Sequence, residues 1–188
     1  MSVKTNSKTI VQLKKVTLLF LKKGYHETSM QDIVDATGLN RSSIYNTFGS
    51  KLELFIQCFE KCETSYRIEV QKIILSSTSP LKTLTNIFEL STQNTINGYP
   101  FPNYISELKN EEAPIRKLII NQQEYLMDLF LNIVKRGQNL GTINNSKSDK
   151  QYAMYLLNAY QGLKVTNHLT DDKNMLKNVI YNTISLLE

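Results

Sequence analysis

Residues 41–48 carry Arg41, Ser42, Ser43, Tyr45, Asn46 and Thr47 on one short segment whose only apolar members are Ile44 and Phe48, at an i, i+4 spacing. A helix with so narrow an apolar stripe cannot be a core helix. Its remaining face is made of donors and acceptors that suit phosphate oxygens and base edges. The rest of the chain offers little reactive chemistry. The only cysteines, Cys58 and Cys62, are four apart and lie on one face of a helix, where buried, inert thiols are the expected state. The only histidines, His26 and His168, have no metal-ligand spacing. There is no glycine-rich phosphate loop and no nucleophile elbow, nor is there a carboxylate pair on a recognisable scaffold. The expectation is no catalytic residue, no metal, no cofactor and no enzyme activity.

The charge distribution points the same way as the polar segment. The chain has 188 residues and a formal net charge of +5. Residues 1–51 hold eight Lys or Arg against three acids, while residues 52–188 are balanced. An excess confined to one end suggests a polyanionic partner for that end, although a merely solvated basic face has the same composition. A membrane surface would call for an amphipathic basic helix with no further fold. The longest apolar candidates, such as Val16 to Leu21 with its interrupting Thr17, are far short of the ~18–20 residues of a membrane span. The polar, basic start has no apolar secretory core, so a soluble cytoplasmic protein is expected. The 41% of hydrophobic residues is ordinary for a globular chain and excludes wholesale disorder.

The elements that position the polar segment read as helices throughout, about nine in all, with no sustained two-residue alternation. The first runs from about Lys8 to Lys23, with Ile10, Leu13, Val16, Thr17 and Phe20 as its buried stripe and Gly24 as its stop. The second begins at Ser29, which forms a capping box with Asp32, and ends at Thr37-Gly38. Asn40 caps the third, which Gly49 terminates. Ser50 caps the fourth, with Glu53 completing a box, and that helix extends to about Leu75. After the break at Ser76–Pro80 a fifth helix reaches about Ile96. A rigid turn follows at Asn97–Pro102, then a short helix at about Asn103–Lys109. Pro114 opens a long helix ending near Gly137. The last two helices span about Asp149–His168 and Asp171–Leu187, after a polar loop at Gly141–Asp149.

The second and third helices are joined by the short turn Ala36-Thr-Gly-Leu-Asn40, a helix-turn-helix arrangement. At this point residues 10–55 resemble the N-terminal domain of the TetR/AcrR family of bacterial transcriptional regulators. The matching positions are Phe20, Gly24-Tyr25, Thr28-Ser29, Ile33, Gly38-Leu39, Ser43-Ile44-Tyr45, Phe48, Gly49-Ser50-Lys51 and Leu54. The chain departs from the family in the first helix, where Lys15-Val16 replaces a common pair of alanines. Beyond residue 55 the similarity is one of length and all-helical layout.

The resemblance implies an all-α fold with a DNA-binding domain over residues 1–51, helix 50–75 as connector, and a ligand-binding and dimerisation domain over residues 52–188. It implies that the third helix enters the major groove of a palindromic double-stranded operator. Arg41, Ser42 and Asn46 would then face base edges, since Arg matches guanine O6/N7 and Asn matches adenine. Ser43, Tyr45, Thr47 and Lys51 would meet phosphate or sugar, and Ser29 and Gln31 the other strand. Tyr25 and Phe48 are expected to pack in the small core instead. By the same resemblance Phe88, Tyr99, Phe101, Tyr104, Tyr125, Phe130 and Tyr155 lie in helices that line the family's cavity, for an unidentified effector of apolar or aromatic character. A homodimer is implied through Leu156, Tyr160, Leu163, Leu176, Val179, Ile180 and Ile184, although those stripes could equally pack on the domain's own core. Gly162 suits close helix–helix approach. The implied function is a ligand-released repressor. An activator or ligand-independent regulator has the same sequence features.

Overall fold

The computed structural model describes residues 7–93 and 113–188 of the chain. Eight helices are present among them, with no strand: α1 (Ser7–Lys23), α2 (Met30–Thr37), α3 (Arg41–Phe48), α4 (Lys51–Ser76), α5 (Pro80–Ser91), α6 (Ala113–Asn139), α7 (Asp149–Leu169) and α8 (Lys173–Ser185). The turn expected at 97–102 and the short helix expected at 103–109 lie outside the described residues. α5 ends at Ser91, short of Ile96, where the Thr92 N–H turns back to the Glu89 and Leu90 carbonyls.

Most helix starts are fixed by side chains that satisfy otherwise unpaired amides. Ser29, Ser50 and Ser148 each form a reciprocal capping box, with Asp32, Glu53 and Gln151. Asn40 accepts from the Ser43 N–H at 2.8 Å. The start of α8 is set by Asp172, whose carboxylate accepts from the Asn174 and Met175 amides.

The apolar side chains gather into two clusters. The first joins Leu13, Val16 and Phe20 of α1, Ile33 of α2, and Ile44 and Phe48 of α3 to Leu54, Phe55, Cys58 and Phe59 of α4. Ile115 and Ile119 of α6 complete it. Phe55 anchors its centre, edge-on to Phe20 at 5.0 Å and to Tyr25 at 5.1 Å. Tyr25 and Phe48 are buried here, as expected. Ile10 is not: it is 36% exposed, because the buried face of α1 begins one turn later, at Leu13.

The second cluster holds Tyr66 and Val70 of α4 with the inner faces of α5 to α8. At its heart Phe88, Phe130 and Tyr160 pack ring against ring at 5.3–5.9 Å. The Tyr160 and Tyr66 hydroxyls share a buried hydrogen bond of 2.8 Å. α6 and α7 form an antiparallel pair, in which the Gln161 amide donates to Gln123. Their connection is locked to residues 186–188 by Asn144, whose N–H donates to the Leu187 carbonyl at 2.9 Å. The Tyr152 hydroxyl in turn donates to the Asn144 side-chain oxygen at 2.6 Å.

The end of α6 requires glycine for steric reasons. Ile143 returns into the core and sits on Gly137, whose carbonyl accepts from the Thr142 and Ile143 amides. A Cβ at 137 would lie 2.6 Å from Ile143 Cγ1 and 3.1 Å from its Cβ. Gly137→Ala is therefore expected to destabilise the fold by about 1–2 kcal/mol despite alanine's better helix propensity. Urea unfolding followed by circular dichroism measures this as a lower midpoint at unchanged slope.

Candidate nucleic-acid interface

α2 and α3 are set against each other by a turn of one tight geometry. Gly38 adopts φ +72° and returns its N–H to the Val34 carbonyl at 2.8 Å. A positive φ of this kind strains any residue with a Cβ, so the turn depends on glycine. Ile44 and Phe48 then sink one stripe of α3 into the first cluster, at 0% and 3% exposure. The consequence is geometric: Arg41, Ser42, Tyr45 and Asn46 all stand exposed on the opposite face. Ser43 and Thr47 lie half-buried on its flanks. Six of the expected site residues are thus brought together on one helix.

Ser29 and Gln31 are exposed at the start of α2. Each already has an intramolecular partner. The Ser29 hydroxyl donates to Asp32 at 2.7 Å, and the Gln31 amide donates to Asp35 at 2.9 Å. Lys51 departs further from a simple exposed cation. Its ammonium donates to the Thr28 carbonyl at 2.9 Å and lies 4.4 Å from the centre of the Tyr25 ring. It ties the start of α4 to the α1–α2 turn, combining a charged hydrogen bond with a cation–π contact.

Residues 17–58 match the family described as bacterial regulatory proteins, tetR family. The HTH-type transcriptional regulator YezE of Bacillus subtilis (strain 168) is 24% identical over 190 residues, covering 96% of both chains. The HTH-type transcriptional repressor DhaR of Mycobacterium sp. (strain GP1) is 26% identical over 157 residues, covering 80% of this chain and 77% of its own. Among solved structures, the TetR family transcriptional regulator CifR, in a cysteine mutant complexed with 26-bp double-strand operator DNA, superposes with a TM-score of 0.79 at 17% identity. That match covers 95% of this chain and 96% of CifR. E. coli NemR in its reduced form gives 0.83 at 14% identity, covering 97% and 98%.

Over residues 17–58 the chain matches the tetR family of bacterial regulatory proteins, and along its length it is similar to HTH-type transcriptional regulators. The family is one of regulators and not of enzymes. No described helix of this chain is long and apolar enough to cross a membrane.

Its larger cluster places the remaining expected residues differently from the sequence pattern. Phe88 and Phe130 are fully buried in the ring stack. Tyr125 is half-buried beneath the Arg67 guanidinium, 4.1 Å from its ring centre, and burial raises its phenol pKa. Tyr155 is half-buried, with its hydroxyl donating to the Thr183 carbonyl at 3.3 Å. Tyr99, Phe101 and Tyr104 lie outside the described residues.

Leu156, Tyr160, Leu163, Leu176, Ile180 and Ile184 are 0–5% exposed within the protomer, and Val179 packs half-buried beside them. A side chain without accessible surface has none to offer a second copy. These stripes therefore serve the protomer's own core, and the outward faces of α7 and α8 carry other residues. Cys58 and Cys62 are buried, and burial pushes both thiols up to about 12, which keeps them protonated and inert.

Two features had no counterpart in the sequence reading. Lys164, at 6% exposure, is a cation inside the second cluster, and burial draws its pKa well below the ordinary lysine value. Its signal was present: four residues after Tyr160 and one after Leu163, it falls on the buried face of α7. The other is the Lys23–Asp32 ion pair, 2.6 Å, which ties α1 to α2. The Lys23 ammonium, followed by the Ser29 backbone and hydroxyl, holds the Asp32 carboxyl far below the usual carboxylate range. Glu53 is lowered by the same capping geometry at Ser50.

A depressed folded-state pKa stabilises the fold above the unfolded value near 4, and that contribution is lost as pH falls through the folded one. Asp32→Asn keeps a cap acceptor but abolishes this linkage. Thermal melts between pH 7 and 2.5 are expected to show a shallower acid loss for Asp32→Asn than for the wild type. An unchanged acid slope would show that Asp32 is not a source of acid sensitivity.

Proposed function

We propose that this chain is a TetR family repressor that binds a palindromic DNA operator as a homodimer and is released by a small molecule held in its larger helical region. The observation that carries the reading is the polar face of α3: Arg41, Ser42, Tyr45 and Asn46 are exposed together while Ile44 and Phe48 fix the helix from behind. In this reading α3 lies in the major groove. Arg41, Ser42 and Asn46 address base edges, and Tyr45, Ser43 and Thr47 address phosphate and sugar. Ser29 and Gln31 contact the other strand, exchanging their present intramolecular partners for phosphate. Lys51 acts mainly by holding the α1–α2 turn in register, with its charge adding to the field at the interface. The repressor role is supported by DhaR, and operator binding by CifR. A reading unit over residues 1–51, coupled through α4 to a sensing and dimerisation unit over 52–188, is the organisation proposed.

The dimer surface follows from what the protomer leaves open. Met154, Asn158, Gly162 and Val165 recur at i, i+4, i+8 and i+11 along the exposed side of α7. Met175, Asn182 and Leu186 are exposed along α8. This is an uncharged, partly apolar stripe on two adjacent helices. Paired with its two-fold mate it makes a four-helix interface.

Selection from a random DNA pool tests the core of the proposal. Enrichment of a near-palindrome with fixed half-site spacing is expected, and a folded dimer that enriches nothing would overturn it. On the selected site Arg41→Ala is expected to cost about 1–3 kcal/mol, roughly 5- to 150-fold in affinity, with relaxed preference at one base position per half-site. Uniform loss across sequences would move Arg41 to the phosphate backbone. Gly162→Leu probes the dimer separately. No atom lies within 4 Å of a Cβ built there, so the protomer accepts the side chain. Sedimentation velocity is expected to show the variant as a folded monomer where the wild type is a dimer.

A further inference from the structure

α3 is held differently at its two ends. At its start the Asn40 side chain accepts from the Ser43 amide, and the Gly38 turn joins the helix to α2. At its end the chain leaves the helix at Gly49, with φ +80° and ψ −148°. The Gly49 amide still reaches the Tyr45 carbonyl at 3.0 Å, but the Phe48 carbonyl lies past the last amide of the helix. It accepts instead from α4: the half-buried Gln57 side-chain amide donates to it at 2.9 Å. Among the described residues this is the hydrogen bond that joins α3 to another helix.

Apolar burial cannot supply the same control. Ile44 and Phe48 decide which face of α3 turns inward, but hydrophobic attraction is non-directional and leaves small tilts of the helix nearly equal in energy. A hydrogen bond has a preferred length and angle. The donor here is itself well anchored, because its neighbours Leu54, Phe55, Cys58 and Phe59 are buried in the first cluster. Gln57 therefore sets the height and tilt of the last turn of α3 against α4. Asn46 stands exposed on that last turn. Arg41 is at the opposite end, beside the Asn40 cap and about 10 Å from Phe48 along the axis. The two base-addressing side chains thus depend on separate local devices, and only one of them reaches to α4.

We infer that Gln57 is a positioning residue for base recognition: by holding the Phe48 carbonyl it fixes the end of α3 that carries Asn46, and so determines how strictly one base position of each half-site is read. It acts through Phe48 and makes no contact with DNA itself. The inference rests on the DNA-reading proposal above and adds to it a specificity-determining residue outside α3.

The test repeats the selection from a random DNA pool with the full-length protein and with Arg41→Ala, Asn46→Ala, Gln57→Met and Gln57→Glu. The two alanine variants mark the base position that each side chain reads. Both Gln57 variants lack the donor, Met keeping the length of the side chain and Glu its shape. The position is half-buried, so both are expected to fold, with wild-type circular dichroism and a melting temperature within a few degrees of the wild type. Both should broaden the preference at the Asn46 position, leave the Arg41 position as strict as before, and bind the selected operator about 3- to 10-fold more weakly. A role confined to stability or to charge would weaken all sequences alike and change no positional preference, and that result overturns the inference. So does a wild-type profile in both variants, or equal broadening at both positions. Broadening in Gln57→Glu alone would trace the effect to the added charge and overturns it too. If Arg41→Ala and Asn46→Ala relax no position, the base-reading assignment of α3 fails first, and the role of Gln57 falls with it.

Discussion

The structure depends on the continuity of α4. Its 26 residues, about 39 Å of helix, contribute to both hydrophobic clusters. Leu54, Phe55, Cys58 and Phe59 close the small core that holds α3 in place, and Tyr66 and Val70 belong to the large one. The small core has no other way to be complete. α2 and α3 are eight residues each, too short to be stable alone, and between them they bury few large side chains. Without the first three turns of α4, Phe20 and Tyr25 would lose Phe55, and the polar face of α3 would have nothing to be exposed against. The placement of α3 is therefore a property of the whole chain and not of its first fifty residues.

That dependence explains why so much of the head is controlled by polar residues at helix ends. Ser29, Asn40 and Ser50 fix where α2, α3 and α4 begin, Gly38 fixes how α2 turns into α3, and Lys51 holds the α1–α2 turn onto α4. Each is a local device, and most were legible in the sequence for that reason. Capping chemistry needs only a side chain and an amide three residues on, so Ser29 with Asp32 and Ser50 with Glu53 read as boxes and are boxes. The i, i+4 pair Ile44 and Phe48 likewise determines which side of α3 is left for a partner.

What the sequence did not disclose is the choice among faces that look alike. The stripe Leu156, Tyr160, Leu163 on α7 is apolar at helical spacing, and that pattern is the same whether it meets its own core or a second copy. The tertiary arrangement decides, and here α5 and α6 cover it. The less conspicuous stripe through Met154, Asn158 and Gly162 is left outside. Ile10 is the same error at smaller scale, since periodicity says where a stripe points but not where its packing partner ends. Lys164 was hidden by its type, because a lysine is read as solvent-exposed even when its register places it inside.

The seam between the two clusters shows how they are coupled. On α4, Phe59 belongs to the small core and Tyr66 to the large one, with Cys62 between them in neither. On α6, Ile119 belongs to the small core and Leu126 to the large one, with Gln122 between them. Both seam residues are buried, and the Gln122 Oε1 has no hydrogen-bond partner among the described residues. An unpaired buried acceptor costs on the order of 1–3 kcal/mol, so the seam is packed less favourably than the cores on either side. Close-packed cores move as units, whereas a seam with an unsatisfied group has a small penalty for shifting. Among the described residues two helices, α4 and α6, cross it. In the proposed ligand-released reading, a change in the large core would reach α3 through α4 and α6, the described helices that contribute to both clusters.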